Sequence, residues 1–184
     1  EEEISDFLGQ EKTLLFSTGY QANLGVIKTL VNRGDSIFSD KLNHASLIDG
    51  SIISRANFKR YRHNDCESLE NLLNESKSKS NLVVSDSLFS MDGDIANLQK
   101  IYSKVQNHGG LLLVDEAHAL GVYGENGRGL VNKSSLNKKL NTFITGTFGK
   151  AVGTFGAFFS GDKDSVDYII QKARSYIYST SLPI

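Results

Sequence analysis

The residues in this sequence that could do chemistry cluster at the ends of apolar runs. Asp115 and His118 stand three residues apart in Val114-Asp115-Glu116-Ala117-His118, directly after Leu111-Leu112-Leu113-Val114. A carboxylate at the end of a strand covered on both faces needs a cation or hydrogen-bond donors, because an unpaired buried charge costs several kcal/mol. Asp115 therefore either serves a bound group or caps a backbone turn. Lys150 follows Thr147-Phe148-Gly149 and lies three residues before Gly153. In a tight glycine-flanked segment a lysine can be desolvated, which lowers its pKa and frees a nucleophilic amine for imine formation. A solvated surface lysine is the plainer alternative. His44, in Asn43-His44-Ala45-Ser46, can stack on a flat ligand or pack at a helix start. Gly19-Tyr20 opens another helical stretch, where free N–H groups and the helix dipole suit a phosphate.

Elements of alternating period must position these groups. Helical spacing of Ala22, Val26, Ile27 and Leu30 predicts a helix over Tyr20–Leu30, followed by a strand at Ser36–Ser39. A second helix runs from Asn43 to about Ser54, a strand covers Phe58–Arg62, and Asp65 caps a third helix reaching Glu75. Leu82–Ser85, Leu98–Val105 and Leu111–Val114 make a βαβ unit whose strands are continuously apolar. Strands at Phe143–Thr145 and Ala157–Ser160 and an amphipathic helix over Val166–Tyr176 complete the pattern. This predicts an α/β fold, a mostly parallel central sheet with helices on both faces. No Pro-, Gly- and Ser-rich linker divides it, so residues 1–184 read as one domain. In such a sheet ligands bind beyond the carboxyl ends of the strands. The residues there are Ser39-Asp40, Ser85-Asp86, Asp115 to His118, and Thr147 to Lys150.

Composition narrows the function. Hydrophobic residues make up 39% and charged residues 22%, which excludes a disordered chain, and 20 basic against 21 acidic residues leave a formal charge of -1. No basic block offers to neutralise a run of phosphates, so nucleic acid is not the expected partner. No apolar run approaches the ~20 residues of a membrane helix. A single cysteine, Cys66, suits a reducing compartment and a cytoplasmic location. The start at Glu1-Glu2-Glu3, without Met or signal peptide, reads as a cut or processed end.

A Schiff-base lysine, an aspartate for a pyridinium nitrogen, an aromatic ring for stacking and a helix start for a phosphate are the parts of a pyridoxal phosphate (PLP) site. The resemblance then becomes specific. The segments Phe16 to Asn23, Asn43 to Ser46, Phe89 to Asp94, Val114 to His118, Gly124 to Gly129, Thr147 to Lys150 and Tyr178 to Pro183 resemble, in order and spacing, the α-oxoamine synthase family of fold-type I PLP enzymes. The resemblance implies that residues 1–184 are the large, cofactor-binding domain, with an N-terminal segment and a C-terminal small domain missing. It implies that Lys150 carries the cofactor, Asp115 holds the ring nitrogen, His118 contacts the phenolic oxygen and His44 stacks on the ring. Gly19, Tyr20 and Thr147 would hold the phosphate, with Ser90 near the phenolic oxygen or phosphate. In a homodimer with its active site at the interface, Ser179 and Thr180 would reach the partner's phosphate. No metal is implied.

The branch it most resembles condenses L-alanine with a pimeloyl thioester, on coenzyme A or acyl carrier protein, with decarboxylation, in biotin synthesis. Phe148, Asp94 and Arg62-His63-Asn64-Asp65 lean that way. Ile144 to Thr147 and Ile95 to Leu98 also resemble the glycine-using branch, the glycine C-acetyltransferases. Lys150 would act as the base at Cα and His44 as the acid that returns a proton.

A different class is spelled by Asp115-Glu116-Ala117-His118, the DEAH box of nucleic-acid-dependent ATPases, in which an acidic pair holds magnesium. That requires a phosphate loop of the form G-x-x-x-x-G-K-[ST]. The segment Gly146 to Ala151 has the wrong spacing and Ala151 where the hydroxyl belongs. His63 and His108 read as surface or helix-end histidines, and Cys66 as a packing residue. Gly124 to Gly129 reads as a shaped turn in which Arg128 pairs locally.

Overall fold

The computed structural model describes residues 1–180. Seven strands, β1 (Lys12–Phe16), β2 (Ser36–Asp40), β3 (Asn57–Tyr61), β4 (Asn81–Asp86), β5 (Leu111–Asp115), β6 (Thr142–Thr147) and β7 (Ala157–Gly161), form one sheet in the order β1-β7-β6-β5-β4-β2-β3. From β3 through β6 the neighbours run parallel. β7 lies antiparallel to both β6 and β1. This is the expected mostly parallel α/β sheet.

Alternation within the strands builds two apolar layers. Leu82, Val84, Leu113, Phe143 and Phe159 face α2 (Gly19–Leu30), α3 (Ala45–Ser54) and α7 (Lys163–Lys172). Val83, Leu112, Val114, Ile144 and Phe158 face α1 (Glu2–Leu8), α4 (Cys66–Asn74), α5 (Leu98–Asn107) and α6 (Leu130–Lys133). Strands buried on both faces are why their sequence reads as unbroken apolar runs. The helices begin where side chains accept the free N–H groups of the first turn: Thr18 from Gln21, Asp65 from Glu67 and Ser68, Asn97 from Lys100, and Asp162 from Ser165.

Three features depart from the periodicity. α1 and β1 occupy a stretch with too short a pattern to assign. The reading of Val166–Tyr176 as one helix is corrected: α7 starts earlier, at its Asp162 cap, and breaks at Ala173, whose ψ of 105° ends the helical path before α8 (Arg174–Ile177). The antiparallel β7 follows from its short connection to β6, which is too brief for a crossover helix. Pro183 lies outside the described residues. Among the described residues no helix is long and apolar enough to cross a membrane.

Close packing reaches the sheet edge at Gly146 in β6, where an added Cβ would lie 2.6 Å from Cζ of the buried Phe158. Gly146→Ala is expected to lower stability by about 1–3 kcal/mol through overpacking. The midpoint of denaturant unfolding of the full-length protein checks this.

Candidate active site

The parallel strands deliver Asp40, Asp86, Asp115 and Thr147 to one edge, and Asp86 lies directly opposite Asp115 in the β4–β5 register. Asp115 is buried, 6% exposed. Its Oδ1 accepts the Ala117 N–H at 2.8 Å, and its Oδ2 accepts from Asn23 Nδ2 at 2.6 Å. Asn23 also donates to Ser46 Oγ at 2.9 Å, and its Oδ1 accepts from Thr145 Oγ1 at 2.7 Å. A single amide thus joins α2, α3, β5 and β6 around the carboxylate. Sequence reasoning passed over Asn23. The signal was there: a polar residue on the same helical face as Val26, Ile27 and Leu30.

The chain continues to His44, the N-cap of α3. Its Nδ1 lies 2.7 Å from Ser46 Oγ and accepts the Ser46 backbone N–H at 3.2 Å. A backbone N–H only donates, so Nδ1 is the acceptor and neutral His44 carries its proton on Nε2. The His44 N–H is held by Asp86 Oδ2 at 2.7 Å. Asp86 Oδ1 is buried without a partner among the described residues. Burial and the neighbouring charge of Asp115 push the Asp86 carboxyl well above the usual carboxylate range.

Lys150 sits in the turn after β6, with Nζ 2.6 Å from His118 Nε2. Burial, and then the charge of Lys150, lower the His118 pKa and favour neutral imidazole. Accepting at Nε2, it carries its proton on Nδ1, and that nitrogen is buried without a partner among the described residues. Burial also lowers the Lys150 pKa, while Asp115 and Asp86 pull the opposite way. The structure therefore brings Asp115, His118, His44 and Lys150 together.

Gly19 and Tyr20 begin α2 with N–H groups that the helix itself leaves free. Gly19 packs on Thr147, where an added Cβ would stand 3.6 Å from the threonine Cβ. Thr147 Oγ1 accepts the Gly149 N–H at 3.2 Å and donates to the Gly156 carbonyl at 3.1 Å. Helix start and hydroxyl thus form one corner beside Lys150. The Tyr20 hydroxyl turns to Asp49.

Ser90, Ser179 and Thr180 make no hydrogen bond to this cluster among the described residues. Ser90 is exposed on the loop after β4 and makes no hydrogen bond among the described residues. From that loop it is Ser87 that reaches the buried cluster, donating to the Asp115 carbonyl at 3.1 Å and to Glu116 Oε2 at 3.0 Å. Ser179 and Thr180 lie beside Ser17, which donates to the Thr180 carbonyl at 3.3 Å. They line an open cavity of about 400 Å3 with Phe16 and Tyr176, and none of Lys150, Asp115 and His118 lines it.

The acidic pair of the DEAH reading does not face one site. Glu116 turns away from Asp115 to accept the N–H groups of Leu130 and Val131, capping α6. Burial pushes its carboxyl up to about 7 against those donors and Ser87. Gly129, at φ 90°, has no room for a side chain because an added Cβ would meet Glu116 Oε2 at 2.8 Å. Arg128 is also corrected: its guanidinium lies over the Phe7 ring at 5.8 Å, and it forms no ion pair among the described residues. His63 is no simple surface residue, for both its ring nitrogens meet carboxylates. His108 does end a helix, bonded to the Lys104 carbonyl.

An aspartate at the end of β5, a lysine in the turn after β6 and a glycine-led helix start meet at one sheet edge, an arrangement suited to one class of cofactor enzyme, and the sequence agrees with that class. Residues 1–184 match the family described as aminotransferase class I and II, and the chain belongs to it. It is 51% identical over 183 residues to 8-amino-7-oxononanoate synthase of Saccharophagus degradans, covering all of this chain and 46% of that protein. The chain thus spans about half the length of the curated relatives it matches. Among solved structures it is similar to serine palmitoyltransferase from S. paucimobilis with PLP and myriocin bound, with TM-score 0.94, 38% identity, and coverage of 100% of this chain and 46% of that one. It is likewise similar to 8-amino-7-oxononanoate synthase from Francisella tularensis, with TM-score 0.86, 38% identity, and coverage of 100% and 52%.

The raised Asp86 carboxyl makes a signed prediction. A folded state that holds this proton more tightly than the unfolded chain is most stabilised at acid pH. That advantage is lost as pH climbs from the ordinary carboxylate range, near 4, to the raised folded value. Asp86→Asn keeps an oxygen for the His44 N–H and removes the charge. It is expected to flatten the fall in stability above pH ~4 and to raise stability at pH 7 by on the order of 1 kcal/mol. Urea unfolding of the full-length protein across pH 4–8 measures both.

Proposed function

We propose that this chain is the cofactor-binding large domain of a PLP-dependent acyltransferase. The full-length protein would condense L-alanine with a pimeloyl thioester, releasing carbon dioxide and the thiol to give 8-amino-7-oxononanoate in biotin synthesis. The contact that carries the reading is Lys150 Nζ on His118 Nε2, next to the buried Asp115 carboxylate. The 51% identity to a synthase of that name supports the choice of reaction. The residues fit the cofactor: a carboxylate for the pyridinium nitrogen, an unpartnered Nδ1–H on His118 for an oxygen acceptor, and an N–H and hydroxyl corner for the phosphate.

When bound, PLP supplies an electron sink for the carbanion that forms at the alanine Cα. The protein's own groups do the rest. Asp115, fixed by Asn23 and the Ala117 N–H, keeps a negative charge where a pyridinium proton must stay. Lys150 would hold the cofactor through its amine and, as a neutral amine, would take the proton from Cα. Burial, which lowers its pKa, helps make that neutral form accessible. His118 holds its Nδ1 proton toward the phenolic oxygen. His44 offers a ring face and a proton on Nε2. Its Nδ1 is occupied by the Ser46 N–H at the cap of α3, so as the acid it would deliver its proton from Nε2. Gly19, Tyr20 and Thr147 receive the phosphate.

The same proposal includes a cytoplasmic homodimer in which Ser179 and Thr180 complete the phosphate site of the partner. Ser90 joins the site from its exposed loop. The free, half-buried Cys66 suits a reducing compartment.

Adding PLP to the full-length protein is expected to produce a visible absorption band that Lys150→Ala abolishes. Alanine with pimeloyl thioester should give far more product than glycine with acetyl thioester. No band in the parent protein would overturn the cofactor assignment. A preference for glycine would move the protein to the other branch.

A further inference from the structure

His63 lies in the turn between β3 and α4, away from Lys150, yet both its ring nitrogens meet carboxylates. Nδ1 is 2.8 Å from Asp40 Oδ1, and Nε2 is 2.9 Å from Asp94 Oδ2. Asp40 ends β2, is 1% exposed, and accepts the N–H groups of Leu42 at 2.8 Å and Asn64 at 2.7 Å, as an ionised carboxylate does. Carboxylates only accept, so the geometry on both sides of the ring is that of two donors, the pattern an imidazolium satisfies and a neutral ring cannot.

Its second partner, Asp94, belongs to the loop between β4 and α5. Asn64 reinforces the link. Its Nδ2 donates to Asp94 at 3.1 Å and to the Ile95 carbonyl at 3.0 Å, and its Oδ1 accepts the Asn97 N–H at 3.3 Å. Phe89 of the same loop stands edge-on to the His63 ring at 4.5 Å. The loop closes on itself through Phe89 N–H to the Asp94 carbonyl at 3.0 Å and Gly93 N–H to the Phe89 carbonyl at 2.8 Å. Its other foot is Ser87, bonded to Asp115 and Glu116. Between the two feet Ser90 and Met91 project, Met91 being 90% exposed.

We infer that His63 is a positioning residue, a charged clasp that ties Asp94 to Asp40 and so fixes the loop carrying Ser90 at the carboxyl edge of the sheet. Only the purpose of that loop rests on the proposed function; the clasp itself does not. The groups facing the ring are Asp40, Asp94 and, close to Asp94, Asp92. Burial works against the ring's charge. The hydrogen bond and charge of Asp40, then those of Asp94, outweigh it and raise the His63 pKa. Since the folded value is raised, the stabilisation is complete below the ordinary histidine range and is lost as pH rises through the folded value.

The test uses the full-length protein without added PLP, so its outcome is independent of whether the cofactor band forms. NMR of labelled histidine should show His63 titrating above the ordinary value near 6.5, with both ring nitrogens protonated below its midpoint. Chymotrypsin cleavage after Leu88, Phe89 or Met91, divided at each pH by the rate on an unstructured peptide of the same sequence so that the protease's own histidine cancels, should be slow below that midpoint and quicken as pH passes it. His63→Gln, which cannot span both carboxylates, should raise cleavage about tenfold at pH 6 and abolish this pH dependence. Asp94→Asn should lower the His63 midpoint and speed cleavage to an intermediate degree, and it decides the matter where His63→Gln fails to fold. A His63 that is neutral throughout, a divalent cation that displaces the Nε2 proton, or cleavage unchanged in either folded variant would overturn the clasp.

Discussion

Asp115 ends β5 with its carboxylate buried, and the donors that make this tolerable come from two sides: the N–H of Ala117 on its own loop and the amide of Asn23 on α2. An unpaired carboxylate there would cost several kcal/mol, so the surrounding elements are bound to keep those donors in place. Asn23 is in turn held by the Thr145 hydroxyl of β6, and it passes a hydrogen bond to Ser46 and through it to the His44 ring. The start of α2, the cap of α3 and the register of two strands, β5 and β6, are thereby referred to one side-chain amide. A shift in any of them would leave a buried polar group without its partner.

Negative charge is concentrated on this edge by the parallel topology, which brings strand ends to the same side. Asp86 stands opposite Asp115 and is driven toward its neutral form, while Glu116 escapes the crowd by turning to cap α6. Lys150 is the cation that faces these acids, and its amine is pulled both ways, toward neutrality by burial and toward charge by Asp115 and Asp86. That balance suits a lysine that must be a nucleophile at one moment and a proton carrier at another. His118 takes part without adding charge, since both burial and the lysine keep it neutral.

Much of this was legible in the sequence because the physics is local or periodic. Leu82–Ser85 and Leu111–Val114 read as buried strands from apolar continuity, and the residues after them fell where a parallel sheet puts its ligands. Asp115, His118 and Lys150 stood out in that way and the Gly19 helix start by its free N–H groups, and the structure brings them to one edge with His44. What escaped depends on contacts between distant segments. Asn23 and Ser46 gain meaning only once α2 and α3 meet at the end of β5. Glu116 and His63 could be read as an incidental acid and a surface histidine because their partners lie 14 residues and more than 20 residues away in sequence. The break at Ala173 and the reversed β7 were hidden by patterns too short to tell one helix from two or a parallel strand from an antiparallel one. Ser179 and Thr180, read from their motif alone, line a cavity with Phe16 and Ser17 that Lys150 does not line.

On the proposed function one lysine, poised between a histidine held toward its neutral form and a cluster of acids, receives the cofactor. Incubating the full-length protein with PLP, reducing with borohydride and mapping the modified peptide by mass spectrometry tests it most directly. A pyridoxyl adduct on Lys150 at close to one per chain is expected. An adduct on a different lysine, or none above the background of surface lysines, would contradict it.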